Sequence, residues 1–187
     1  MPRVSLPILL SILLAIFACR SVASPAERLG EAVRIKTISY QDRSQIDYTQ
    51  FELFHAFLAS TFPRVFREME VETANDYSLL LRWRGSDDAL NPVLFTAHMD
   101  VVPVEPGTEG DWQHPAFDGV VADDRVYGRG TLDDKVGVMS LLEAAEQLLA
   151  EGFRPSREIV LAFGHDEEIA GNEGARVLAR RMACLLY

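Results

Sequence analysis

The chain has 187 residues, of which 48% are hydrophobic and 25% are charged, and its formal net charge at pH 7 is -10. This length and composition predict a folded globular chain with a core of its own, and they exclude an intrinsically disordered segment. The negative charge argues against nucleic acid as a partner, because binding to phosphates requires a basic surface.

The first residues have the layout of a secretory signal peptide. Arg3 supplies a positive charge, residues 6–18 are mostly apolar, and small residues follow around Ala23. The apolar run is shorter than the roughly 20 residues that span a bilayer, so we predict a cleaved signal over residues 1–23 and no stable membrane span. We therefore expect a secreted or periplasmic protein. In the alternative, Cys19 is the lipidated cysteine of a lipoprotein signal.

Helical and strand-like patterns alternate after the signal. They predict helices over 25–37 and 46–62, strands over 65–72, 78–83 and 92–97, a hairpin near 120–126, a long helix over 134–152, a strand over 157–163 and a final helix over 172–182. Strands that alternate with helices are typical of an α/β fold. We predict a mainly parallel sheet flanked by helices.

Three clusters of polar residues each follow an apolar run of strand type. The first contains His98 and Asp100, the second contains Asp133, and the third contains Glu167 and Glu168. Each cluster is therefore predicted to lie at the carboxyl edge of one sheet, where open α/β sheets place their ligands. A histidine, a central aspartate and a glutamate pair at that edge indicate two cations that share a carboxylate.

The residue types of these clusters suit metal chemistry. His98 and Asp100 share one face of a strand end, which suits an imidazole ligand and a carboxylate that orients it. Asp133 precedes a strongly patterned helix, and a simple helix cap remains the alternative there. Two adjacent carboxylates, Glu167 and Glu168, repel each other unless a cation or a proton lies between them. One glutamate as a metal ligand and the other as a general base would resolve that repulsion.

Three segments carry a family resemblance: TAHMDVVPV, DDRVYGRGTLDDKVG and FGHDEEIAGNEGA. They resemble the dinuclear zinc metallopeptidase family of aminoacylase, glutamate carboxypeptidase and succinyl-diaminopimelate desuccinylase. Within that family, the chain is most similar to the branch of carboxypeptidase S and the N-fatty-acyl-amino-acid synthase/hydrolase. The resemblance implies a zinc-dependent hydrolase that cleaves the amide bond of a small peptide or an N-acyl amino acid.

The resemblance also implies a role for each candidate residue. His98 would bind one Zn²⁺, Asp133 would bridge two Zn²⁺ ions, and Glu168 would bind the second. Asp100 would support His98, and Glu167 would be the catalytic base. A cis peptide bond between Asp133 and the next residue is implied as well.

Members of this family are longer than this chain and carry further zinc ligands and a lid domain. The resemblance thus implies that residues 24–187 form the N-terminal portion of the catalytic domain, and that any homodimer would form through the lid. The alternative is a catalytically inactive fragment that acts only as a binding or dominant-negative form.

Overall fold

The computed structural model describes residues 23–186. The helices are α1 (Pro25–Arg34), α2 (Thr49–Thr61), α3 (Pro63–Glu68), α4 (Val136–Ala150) and α5 (Ala175–Leu186). The strands are β1 (Glu70–Ala74), β2 (Ser78–Trp83), β3 (Val93–His98), β4 (Val120–Ala122), β5 (Arg125–Tyr127) and β6 (Ile159–Gly164). The predicted signal peptide, except its last residue, and Cys19 lie outside the described residues. Across residues 23–186, none of the helices has the length and apolarity needed to cross a membrane.

The main sheet has the strand order β1-β2-β6-β3, and helices pack against it, so the predicted α/β class is confirmed. The pairing is mixed where the sequence predicts mainly parallel strands. Only β3 and β6 are parallel, whereas β2 is antiparallel to both β1 and β6. The reason is local: β1 and β2 are joined by a tight turn in which Asn75 and Asp76 both have positive φ, which closes an antiparallel hairpin.

The segment before β1 is a helix, and the strand predicted over 65–72 is wrong in its first half. Pro63 begins α3 with a φ that suits a first helical turn. The backbone N–H groups of Arg64 and Val65 both donate to the Glu146 carboxylate on α4, each at 2.9 Å. This capping side chain comes from a distant helix, so no local sequence pattern reveals it.

The core has a large part and a small part, on opposite faces of the sheet. The large part lies between the sheet and helices α1 to α4, and includes Phe54, Leu58, Phe62, Leu81, Met99, Leu142 and Phe163. The small part lies under α5, and includes Leu80, Val160, Ala162, Leu178 and Met182. Burial of these side chains from both faces holds the central strands β2 and β6 in place.

Two features of this architecture place polar residues at one edge. Strands β3 and β6 are parallel neighbours, so His98 pairs with Gly164 and both strands end together. The sequence predicts that the second cluster, with Asp133, also follows a strand of this sheet, and this is wrong: it follows β5, which pairs with β4 in a separate two-stranded sheet. Gly130 brings that segment back, because a Cβ there would lie 2.3 Å from the Val101 side chain.

Candidate metal centre

The side chain of His98 lies at the end of β3 and is nearly buried, with 8% exposure. Its Nδ1 lies 3.1 Å from the backbone oxygen of Asp100, and its Nε2 lies 2.9 Å from Oδ1 of Asp133. When Nδ1 donates to the backbone oxygen, the lone pair of Nε2 is available to a metal ion. His98 is thus oriented as a ligand from one side and faces a carboxylate on the other.

Asp133 belongs to a wide turn, Thr131–Lys135, that connects β5 to α4. Its side chain is 78% exposed. The peptide bond between Asp133 and Asp134 is cis, as the family resemblance implies. The Asp134 carboxylate accepts a hydrogen bond from the backbone N–H of His98 at 3.3 Å, so it ties this turn to the end of β3. Asp134 therefore supports the site through the backbone of His98.

Glu167 and Glu168 begin a short turn directly after β6. Glu168, His98 and Asp133 can each offer one ligand atom, and these three atoms all lie within 4.8 Å of one another. Glu167 is outside this group; its Oε2 lies 3.8 Å from Nε2 of His98, and its side chain is 57% exposed. The structure thus brings together all three residues that were predicted as metal ligands and leaves Glu167 beside them.

The carboxylate of Asp100 is fully buried and holds the glutamate pair as well as the histidine. Its Oδ1 accepts the backbone N–H of Glu167 and its Oδ2 accepts that of Glu168, each at 3.1 Å. Oδ1 also lies 3.3 Å from Nδ1 of His98. The sequence predicts only the support of His98. The hydrogen bonds from the backbone of Glu167 and Glu168 to Asp100 join residues that are far apart in the sequence, so no local sequence pattern predicts them.

The electrostatics of the group favour a cation. Burial lowers the pKa of His98, but the hydrogen bond and charge of Asp100, the hydrogen bond to Asp133 and the charge of Glu167 outweigh it and raise the pKa to about 9. The pKa of Glu168 is raised, first by burial and then by the negative charge of Asp133. An imidazole and two carboxylates are a donor set that Zn²⁺ accepts, so the residues present fit this metal.

The two residues directly before the glutamate pair, His165 and Asp166, are also buried. Asp166 accepts the backbone N–H groups of Glu173 and Gly174, each at 2.8 Å, and Arg43 donates to it at 3.2 Å. His165 lies 2.7 Å from the Ser78 hydroxyl through its Nδ1. These contacts fix the loop that follows the glutamate pair.

We expect substitution of Asp100 by asparagine to disturb both strand ends together. The amide nitrogen would replace one acceptor oxygen and face a backbone N–H donor, which costs about 1–3 kcal/mol of stability. Zinc affinity should fall about 10- to 100-fold, as it does when a group that orients a ligand is lost. Urea unfolding and zinc titration would measure both effects. Asp111→Asn is a matched control because Asp111 is exposed, and wild-type zinc affinity in Asp100→Asn would contradict the prediction.

An open cleft of about 270 Å³ adjoins the metal group on the side of His98 and Glu167. Its far wall is apolar and includes Leu178 and Met182 of α5. A second groove, of about 360 Å³, reaches Glu168 from the side of Tyr40. The group is thus accessible from two directions.

The fold is an α/β domain that carries a candidate His/Asp/Glu metal group at one edge of its sheet. Residues 94–185 match the family model described as peptidase family M20/M25/M40. This matched segment, which contains every candidate site residue, belongs to that family, and the predicted resemblance is confirmed.

Curated relatives agree with this assignment. A probable carboxypeptidase S-like protein of Dictyostelium discoideum is 45% identical over 80% of this chain and 29% of its own length. Carboxypeptidase S of Saccharomyces cerevisiae is 41% identical over 83% of this chain and 28% of its own. An N-fatty-acyl-amino acid synthase/hydrolase of Xenopus tropicalis is 39% identical over 83% of this chain and 30% of its own length. The chain thus spans under a third of the length of these relatives.

Solved structures show the same fold at low sequence identity. An M20 family metallo-carboxypeptidase from Sulfolobus solfataricus superposes with a TM-score of 0.68 at 19% identity, over 88% of this chain and 36% of that one. Human carnosine dipeptidase 1 superposes with a TM-score of 0.66 at 22% identity, over 84% of this chain and 34% of that one.

Proposed function

We propose that the protein is a zinc-dependent hydrolase of the amide bond in small peptides or N-acyl amino acids. The observation that carries the proposal is the convergence of His98, Asp133 and Glu168 from three separate segments onto one point. The relatives named carboxypeptidase S and N-fatty-acyl-amino acid synthase/hydrolase support the substrate class. Because the chain covers under a third of those relatives, this activity is proposed for the protein as a whole.

Each ligand has a place consistent with a dinuclear site. Asp133 Oδ1 lies 2.9 Å from Nε2 of His98, and its carboxylate also lies within reach of Glu168. Because this carboxylate neighbours both other candidate ligands, Asp133 would be the ligand shared by two ions, with His98 and Glu168 as the further residues that would hold them. When bound, zinc supplies a Lewis acid for the substrate carbonyl and lowers the pKa of a coordinated water.

Glu167 is the proposed general base. Its carboxylate is exposed, close to the metal ligands, and not one of them. It accepts a proton from the attacking water as the new C–O bond forms. It then delivers that proton to the amide nitrogen as the C–N bond breaks, which releases a carboxylic acid and an amine. Asp100 accepts the backbone N–H of Glu167, so the backbone that carries this base is held relative to His98.

We also propose export of the protein, on the strength of the amino-terminal layout of a charged start, an apolar run and small residues. Lipid attachment at Cys19 remains the alternative. Mass spectrometry of the mature amino terminus separates the two, since cleavage after Ala23 leaves no lipid and lipidation leaves a modified cysteine.

We expect the purified protein to bind Zn²⁺ and to lose it to a chelator, with hydrolysis lost and regained in parallel if the protein carries the proposed activity. Zinc content by elemental analysis and release of amino acid from dipeptides and N-acyl amino acids are the measurements. A protein that hydrolyses these substrates without any bound metal would overturn the proposal. So would one that binds no metal and has no such activity.

A further inference from the structure

Lys135 is a charged residue that the main core encloses completely. Its Nζ donates to the backbone oxygens of Ala32 and Ile35, at the end of α1, and lies 4.8 Å from the centre of the Phe54 ring. Among the ion pairs within residues 23–186, none includes Lys135. The Lys135 amine is thus contacted by two carbonyl oxygens and an aromatic face.

The end of α1 does not depend on this lysine. The Ala32 oxygen also accepts the backbone N–H of Ile35 at 3.3 Å, and the Ile35 oxygen accepts that of Thr37 at 3.0 Å. Both oxygens would therefore keep a donor if an apolar side chain of similar length replaced the lysine, and the cost of burying an amine would be removed. Stability of the core therefore gives no sufficient reason for a lysine at this position.

The position of Lys135 at the end of the turn that carries Asp133 gives a reason for a lysine there. Its backbone N–H donates to the Gly130 oxygen at 2.9 Å and closes the wide turn that carries Asp133. Gly130 is buried against Val101 at one end of this turn, and Lys135 is buried at the other. Between them, Leu132 is 86% exposed. The turn is therefore held at its two ends, and within it the Asp134 carboxylate accepts the backbone N–H of His98.

We propose that Lys135 is a positioning residue, which tethers the turn to the end of α1 and thereby holds the Asp133 carboxylate beside His98. The side chain of Asp133 is 78% exposed, so packing around it does little to fix its position. A ligand held in place before the metal arrives binds with less loss of conformational freedom. This inference rests on the proposed metal site.

The test is zinc affinity in Lys135→Met, which keeps an unbranched side chain and removes the donors. We expect the affinity, measured by competition with a chelating dye, to fall about 10-fold or more, as for groups that orient metal ligands. The visible absorption spectrum of bound Co²⁺ should change as well, because the ligand geometry loosens. The melting temperature of the metal-free protein should change little.

A matched control separates positioning from general destabilisation. Leu58→Ala removes a fully buried side chain of the same core and should lower the melting temperature while zinc affinity stays near that of the wild type. Wild-type zinc affinity in Lys135→Met would overturn the inference. So would affinity losses in both variants that simply follow their losses of stability.

A second pair of variants serves if Lys135→Met does not fold. Phe54→Leu removes the ring beneath the ammonium group, and Phe62→Leu makes the same change elsewhere in the core. We expect only Phe54→Leu to weaken zinc binding and alter the Co²⁺ spectrum, and equal behaviour would overturn the inference. If the wild type binds zinc and Lys135→Met and Phe54→Leu bind it equally well, the result contradicts the role of Lys135 but not the metal site. A wild type that binds no zinc would contradict the metal site and this inference with it.

Discussion

Replacing Asp133 by alanine is expected to abolish zinc binding at the candidate centre. This carboxylate neighbours both His98 and Glu168. If it bridges two ions, as proposed, its loss would remove a ligand from each of them. The affinity should fall by more than the roughly 100-fold that loss of an orienting group can cause. The fold should survive, because the Asp133 side chain is largely exposed and its loss creates no buried cavity. Isothermal titration with Zn²⁺ measures the affinity and the stoichiometry.

The control for this substitution is Asp88→Ala. Asp88 is an exposed aspartate in a loop, and its loss removes the same charge from the chain. We expect zinc affinity and stoichiometry in Asp88→Ala to equal those of the wild type. Two bound zinc ions in Asp133→Ala would contradict the bridging role, and one bound ion with undiminished affinity would assign Asp133 to a single metal.

The parts of the fold that the sequence predicts well are those with strong local patterns. The stripe of apolar residues in α4 follows the helical period, and β3 and β6 are short apolar runs that end in polar motifs. Parallel pairing of these two strands brings His98 close to the glutamate pair. For this reason the proximity of His98 to the glutamate pair could be predicted from strand ends, without any knowledge of tertiary contacts.

The parts that the sequence does not predict depend on contacts between distant residues. Helix α3 owes its first turn to the carboxylate of Glu146, and the return of the Asp133 turn to the sheet depends on close packing of Gly130 on Val101. The burial of Lys135 is another case, since a lysine beside two aspartates is expected on a solvated surface. Such features follow from the assembled core and not from periodicity.

Glu167→Gln is expected to keep the metal and remove most of the turnover. An amide cannot accept and deliver a proton, and loss of a general base lowers the rate by about 10²–10⁴. Glu167 lies outside the three candidate ligands, and its Oε2 is 3.8 Å from Nε2 of His98. Zinc stoichiometry should therefore be that of the wild type. The measurements are kcat on an N-acyl amino acid or dipeptide that the wild type hydrolyses, and zinc content of the same sample.

Glu168→Gln is the matched variant, since it makes the same chemical change one residue away. Glu168 is one of the three candidate ligands, so its amide should weaken binding of one zinc ion. Added Zn²⁺ should then restore part of the turnover of Glu168→Gln and none of that of Glu167→Gln. The backbone N–H groups of both residues donate to Asp100 in the wild type, and neither substitution removes these bonds. Rescue of Glu167→Gln by zinc, with none for Glu168→Gln, would exchange the two roles.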